Sequence, residues 1–177
     1  DIQENFAADS VPCMDQAARD AVVHAAKLAS AGKGVFFWIP SLYETKITGT
    51  SLGLPVYVGL KLYNRISEWP KIVCTGSLTH TGNLEDVYFL DNKIQAARIH
   101  GFSGFVYPDN GQIRSPGFDG IELMPVSDPE TAVALTGSYC PGMGHQHLYF
   151  LQQRERFSGC AGAVCGIDLS LLKYLEQ

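Results

Sequence analysis

Apolar residues recur at three- and four-residue steps through Met14, Ala17, Ala18, Ala21, Val22, Ala25 and Leu28, which predicts a helix over residues 14–31, stopped by Gly32 and Gly34. The pattern then shortens. Val35-Phe36-Phe37-Trp38-Ile39 is an aromatic and β-branched run ended by Pro40, as expected of a buried strand, and residues 41–50 form a mostly polar connection. Helical spacing returns over residues 51–66 through Leu52, Val56, Leu60 and Tyr63, with Pro55 near the first turn, where a missing N–H is tolerated. Residues 72–78 and 84–90 read as two strands around a turn at Thr81-Gly82-Asn83. Asp91 is a candidate N-cap for a helix through residue 99, closed by Gly101. Phe105-Val106-Tyr107-Pro108 and residues 121–126 complete the strands around a Gly/Pro/Asn-rich loop at 109–119, and residues 129–135 start a short helix.

Strands interleaved with helices predict an α/β (α+β) domain with a mixed sheet and flanking helices. Near residue 136 the texture changes to turn formers, Gly137-Ser138-Tyr139-Cys140-Pro141-Gly142-Met143-Gly144, then to a polar stretch and a last helix at 169–175. The expected organisation is one domain over residues 1–136 and a C-terminal extension over 137–177 packed on it.

Composition narrows the function classes. Hydrophobic residues make up 46% and charged residues 18% of the 177, as in a folded globular chain. A net charge of −5 with 13 scattered Lys and Arg offers no footprint for nucleic acid. No apolar run reaches the ~18 residues of a membrane span, and the N-terminus lacks a signal-peptide pattern. Five cysteines, an odd number, read as reduced thiols of a cytoplasmic protein. Cys140, His145, His147, Cys160 and Cys165 form a local cluster, but C-x4-H-x-H and C-x4-C match no tight zinc pattern. A Cys160–Cys165 disulfide is the other reading of that tail; no metal and no cofactor is expected.

Two residues carry candidate chemistry. Ser51 lies between glycines in Gly49-Thr50-Ser51-Leu52-Gly53, where an irregular loop enters an apolar helix. Such a junction offers backbone N–H groups and the positive helix end to an activated oxygen and its oxyanion. The plainer role for a serine there is an N-cap. Lys93 falls in the first turn of a helix beside Ile94, Ala96 and Ala97, where the helix dipole and apolar surface both favour a neutral amine able to act as a base. The plainer role is a solvated surface lysine. Asp20 and His24, four apart on the first helix, read as a surface pair. His80 and His100 flank the Lys93 segment in sequence, His100 near a helix C-terminus, and Trp38 and Trp69 read as core or groove residues.

These segments, in order, resemble the proteolytic domain of the Lon family. That family shows a helix, a strand ending in Pro, a loop to a G-P-S-A-G serine motif, then T-G-E, a glycine, and a lysine opening an A-A helix. Here the helix from Met14 and the strand ending at Pro40 precede Gly49-Thr50-Ser51-Leu52-Gly53. Thr75-Gly76-Ser77, Gly82 and Lys93-Ile94-Gln95-Ala96-Ala97 follow, and Ile121-Glu122-Leu123-Met124-Pro125-Val126 resembles the closing strand. The likeness spans about residues 13–135. It implies a serine endopeptidase with Ser51 as nucleophile, Lys93 as general base, Thr75 orienting the lysine, and the Gly49-Thr50 loop with the Ser51 N–H forming the oxyanion site. Five positions depart from the family pattern: Thr48 stands at the acidic position, Thr50 at the motif proline, Ser77 at the glutamate, and Tyr88-Phe89 at a glycine pair before the lysine helix.

The chain has no G-x-x-x-x-G-K-[ST] P-loop, so ATP-driven work is expected of another module, in cis or in trans. The expectation is an excised domain or a peptidase worked by such a partner, acting on protein or peptide and forming a homo-oligomer as relatives do. Tyr88, Phe89 and the tail are candidates to cover the substrate groove. The alternative is a Lon-like scaffold without catalysis, used for oligomerisation or partner binding.

Overall fold

The computed structural model describes residues 14–29, 47–63, 65, 70–109 and 119–139. The expected strand at 35–39, both tryptophans, Cys13 and the cysteines and histidines of the tail lie outside the described residues.

Among the described residues the elements are, in order, α1 (Gln16–Ala29), α2 (Gly53–Leu62), β1 (Ile72–Cys74), β2 (Ser77–Leu78), β3 (Leu84–Glu85), α3 (Leu90–Ile99), β4 (Gly104–Pro108), β5 (Glu122–Val126) and α4 (Pro129–Ser138). β1, β4 and β5 form a parallel sheet in that order, and β2 and β3 pair antiparallel as a separate hairpin. This mixture of helices with parallel and antiparallel strands is an α/β arrangement.

The sheet is covered on both faces, and the strand residues divide between them with period two. Ile72, Cys74, Val106, Met124 and Val126 pack in the core with α1, α2 and α4. Val73, Phe105 and Tyr107 point the other way, into a second core with Leu90, Ile94 and Ala97 of α3. α2, apolar on nearly every side, packs between α1 and α4. Burial on both faces is why β1 and β4 read as continuous rather than alternating apolar runs.

Several element boundaries differ from those the periodicity predicts. Met14 pairs with Ile47 in an isolated parallel bridge, and Asp15 caps α1 by accepting from the Ala18 N–H, so the helix begins two residues after Met14. α2 runs from Gly53 to Leu62 rather than over 51–66, because the Ser51 carbonyl accepts from Gly76 N–H instead of joining the helix ladder. The segment 72–78 is not one strand: β1 ends at Cys74, and after Thr75-Gly76 the chain enters the hairpin. The 84–90 strand stops at Glu85, since a left-handed Phe89 (φ 56°) turns the chain into α3. Asp91 is therefore not the N-cap, which is Phe89; Asp91 lies inside the first turn, where its charge still suits the helix dipole. The C-terminus of α3 follows expectation. Gly101 (φ 76°) donates to Arg98 O and Phe102 N–H to Ala97 O, the paired bonds of a glycine-ended helix.

α4 extends to Ser138, past the residue 136 boundary, and Tyr139 is buried over Gly104 and within the main core. A Cβ on Gly104 would lie 2.8 Å from the Tyr139 ring and from the Met124 methyl, so glycine there makes room for both. The rest of the expected extension, from residue 140, lies outside the described residues.

Candidate active site

Three separate segments converge at the carboxyl end of β1, where open α/β sheets commonly place their sites. Thr75 directly follows the strand, and its N–H carries the ladder one step further by donating to Val106 O at 3.0 Å. α2 approaches from one face of the sheet and α3 from the other.

The serine loop is shaped by its own backbone and by Gly76. Gly49 has φ 84°, a left-handed conformation that favours glycine, while a Cβ there would meet nothing within 4 Å, so backbone freedom rather than space selects the residue. The Thr50 carbonyl accepts from Gly53 N–H at 3.0 Å, and the Ser51 carbonyl from Gly76 N–H at 3.1 Å. Across a trans peptide the N–H points opposite to the C=O, so the amides of Ser51 and Leu52 face away from these partners. Leu54 N–H donates to Gly76 O at 2.8 Å, which fixes the first turn of α2 on the same residue. Gly76 is glycine for contact: a Cβ would sit 2.8 Å from the Leu54 Cβ.

Lys93 is the fourth residue of α3, and its N–H donates to Phe89 O at 3.1 Å as the helix starts. The residue is only 4% exposed. Its Nζ donates to Ser51 Oγ at 2.7 Å and lies 3.4 Å from Thr75 Oγ1, with Thr75 1% exposed. The structure thus brings together the three residues singled out in the sequence, Ser51, Lys93 and Thr75. Neither plainer role applies, since Leu52 occupies the N-cap of α2 without a side-chain cap and the lysine is not solvated. Burial favours the uncharged form of an amine, and a hydroxyl within ~2.6–3.2 Å of such an amine is in range for proton transfer.

Other candidates separate from this site. His24 Nε2 bonds Thr79 O at 2.8 Å, tying α1 to the hairpin, while Asp20 accepts from Gln16 Nε2; the Asp20–His24 pair does not form. With a carbonyl as acceptor, His24 Nε2 is the donor of this bond. His80 is exposed in the hairpin turn, and His100 caps the far end of α3 from Lys93. Tyr88 and Phe89 are 87% and 72% exposed. Cys74 is buried, which pushes its thiol well above the ordinary range and leaves it inert. Among the described residues, no group of three or more His, Cys, Asp or Glu is arranged to hold a metal ion, and no helix is long and apolar enough to cross a membrane.

Sequence reasoning missed Asp15. Its Oδ1 accepts from Ala18 N–H at 2.8 Å and its Oδ2 from Gly49 N–H at 3.4 Å, joining α1 to the serine loop. The available signal was an aspartate just before a helical period, which marks an N-cap but says nothing about the loop.

No protein-family model matches the chain, and no curated protein matches it.

Proposed function

We propose that the chain is a serine peptidase of Lon type that hydrolyses peptide bonds with a Ser51–Lys93 dyad. The observation that carries the reading is the 2.7 Å contact between Lys93 Nζ and Ser51 Oγ, made by a lysine withdrawn from water. In the mechanism, neutral Lys93 takes the Ser51 proton as Oγ attacks the peptide carbonyl carbon. The carbonyl oxygen becomes an anion facing the Ser51 N–H and the Gly49-Thr50 turn. Lysinium then protonates the leaving amine as the C–N bond breaks, and water, deprotonated by the same lysine, releases the acyl group and restores the serine. The Thr75 hydroxyl orients the amine. Protein or peptide is the substrate, and control by another module or partner completes the reading.

The test uses purified wild type, Ser51→Ala and Lys93→Met, with folding checked by circular dichroism. A fluorophosphonate probe and a mixed peptide library report on the serine. Labelling at Ser51 and cleavage, both absent in the folded variants, support the dyad. Cleavage retained in either variant refutes it. A wild type inert to both probe and peptides leaves the non-catalytic scaffold as the better reading.

A further inference from the structure

We propose that Asp15 is a positioning residue for the nucleophile, holding the loop that carries Ser51 through the Gly49 amide; this deepens the peptidase reading and rests on it. The loop from Ile47 to Ser51 is held at its end by the Ser51 carbonyl on Gly76 N–H. At its start it is held by residues 14 and 15: Met14 pairs with Ile47, and Asp15 N–H donates to Ile47 O at 2.9 Å. Between these points, the contact of Asp15 Oδ2 with Gly49 N–H, at 3.4 Å, falls two residues before the serine. Gly49 is the one loop residue with a left-handed backbone, a conformation glycine leaves as readily as it enters. An acceptor on its amide selects that conformation and so sets where Ser51 Oγ stands relative to Lys93 Nζ.

One carboxylate serves two elements. Oδ1 caps α1 on the Ala18 amide and Oδ2 takes the loop amide, so the rigid helix becomes the reference for the loop. Asp15 lies on neither the serine loop nor α3, and it acts through Gly49 rather than on the substrate.

Asp15→Ser separates the two roles, because a serine hydroxyl still caps a helix but lacks the second oxygen. Asp15→Asn is the second variant: with its oxygen on Ala18, it turns an amide donor toward the Gly49 N–H. Both are expected to lower kcat for peptide cleavage by roughly 10- to 100-fold, the scale of a small misplacement of a reacting group, with KM within about twofold. The Gly49 amide, followed by hydrogen exchange, is expected to exchange about tenfold faster in both variants. A residue that only caps α1 predicts wild-type kcat and wild-type Gly49 exchange in Asp15→Ser, and that result overturns the proposal. If the wild type has no peptidase activity and Ser51 is unreactive, the peptidase reading fails by itself. Gly49 exchange then decides whether Asp15 holds the loop: faster exchange in the variants supports the anchor, and unchanged exchange overturns it.

Discussion

Replacing Gly76 with alanine tests whether the serine loop is held by close packing onto the β1–β2 junction. The added methyl would lie 2.8 Å from Leu54 Cβ and 2.9 Å from one Leu54 methyl. Carbon atoms rest at about 3.5–4.0 Å, so the two segments must part by about 1 Å. Leu54 is fully buried and has nowhere to swing, which leaves movement of the first turn of α2 as the relief. Overpacking of this kind costs roughly 1–3 kcal/mol. The displacement also weakens the bonds from Gly76 N–H to Ser51 O and from Leu54 N–H to Gly76 O, each contributing about 1 kcal/mol. A total of about 2–4 kcal/mol corresponds to a melting temperature lower by roughly 5–15 °C in a domain of this size. Because the turn that moves carries Ser51, probe labelling of the serine is expected to slow by about a hundredfold even well below the transition. Thermal unfolding followed by circular dichroism, with labelling kinetics at 20–25 °C below the midpoint, makes the measurement. A Gly76→Ala protein that melts within ~2 °C of wild type and labels at the same rate would show that packing at Gly76 does not set the loop.

Thr75→Val keeps the shape of a buried residue and removes the hydroxyl beside Lys93, so kcat is expected to fall roughly tenfold or more while stability changes by less than about 1 kcal/mol; unchanged kcat would exclude an orienting role. Phe89→Gly relieves the roughly 1–2 kcal/mol that a left-handed backbone costs a non-glycine residue, here one whose side chain is 72% exposed, and greater freedom of the unfolded glycine offsets part of this. A net gain of about 0.5–1 kcal/mol in urea unfolding is expected, and a loss would mean that Phe89 makes contacts that stabilise the fold. Asp128 caps α4 on the Thr131 amide at 2.8 Å; burial raises its carboxyl, but bonds from the Thr131 hydroxyl and amide and from Ser127 outweigh it and hold the group below the usual aspartate range. A lowered folded value adds stability above the unfolded value of about 3.9 and loses it as pH falls through the folded one. Asp128→Ala is thus expected to cost about 1 kcal/mol at pH 7, with the gap narrowing as pH falls below about 3.9, and a gap independent of pH would refute the assignment.

The layers are legible in the sequence because they rest on local period. The runs at 104–108 and 122–126 are apolar and short, and α1 shows its buried stripe at helical spacing. What is not legible depends on partners distant in the chain. Residues 72–78 read as one strand, yet Cys74 pairs into one sheet and Ser77 into another; the break falls at Thr75-Gly76, where the serine loop docks on the Gly76 N–H. The left-handed turn at Phe89 is hidden as well, since two adjacent aromatics read as strand formers. For the site, the pairing of Ser51 with Lys93 follows from the order of segments rather than from any one motif, because each residue alone has a commoner surface role. Asp15 shows the opposite case. Its cap is local and readable, whereas its reach to Gly49 exists only because Met14 and Ile47 lie side by side.

α3 shows why Lys93 stands out once its surroundings are known. Leu90, Lys93, Ile94 and Ala97 are its buried residues, spaced as the apolar stripe of an amphipathic helix, while Asp91 and Asn92 face solvent. The stripe therefore calls for an apolar residue at position 93, and leucine or methionine would satisfy propensity, pattern and burial together. A lysine in that place normally extends its stem and returns the amine to water. Here it turns inward to two hydroxyls instead. One turn earlier, Phe89 holds a backbone conformation that a bulky side chain rarely adopts and gains little burial in return. Two departures from local preference within five residues, both on the segment that meets the serine loop, lie where stability has been given up. Sequences that agree with their fold elsewhere tend to depart from it where chemistry demands. That coincidence, rather than the identity of either residue, makes the carboxyl end of β1 the place to look for activity.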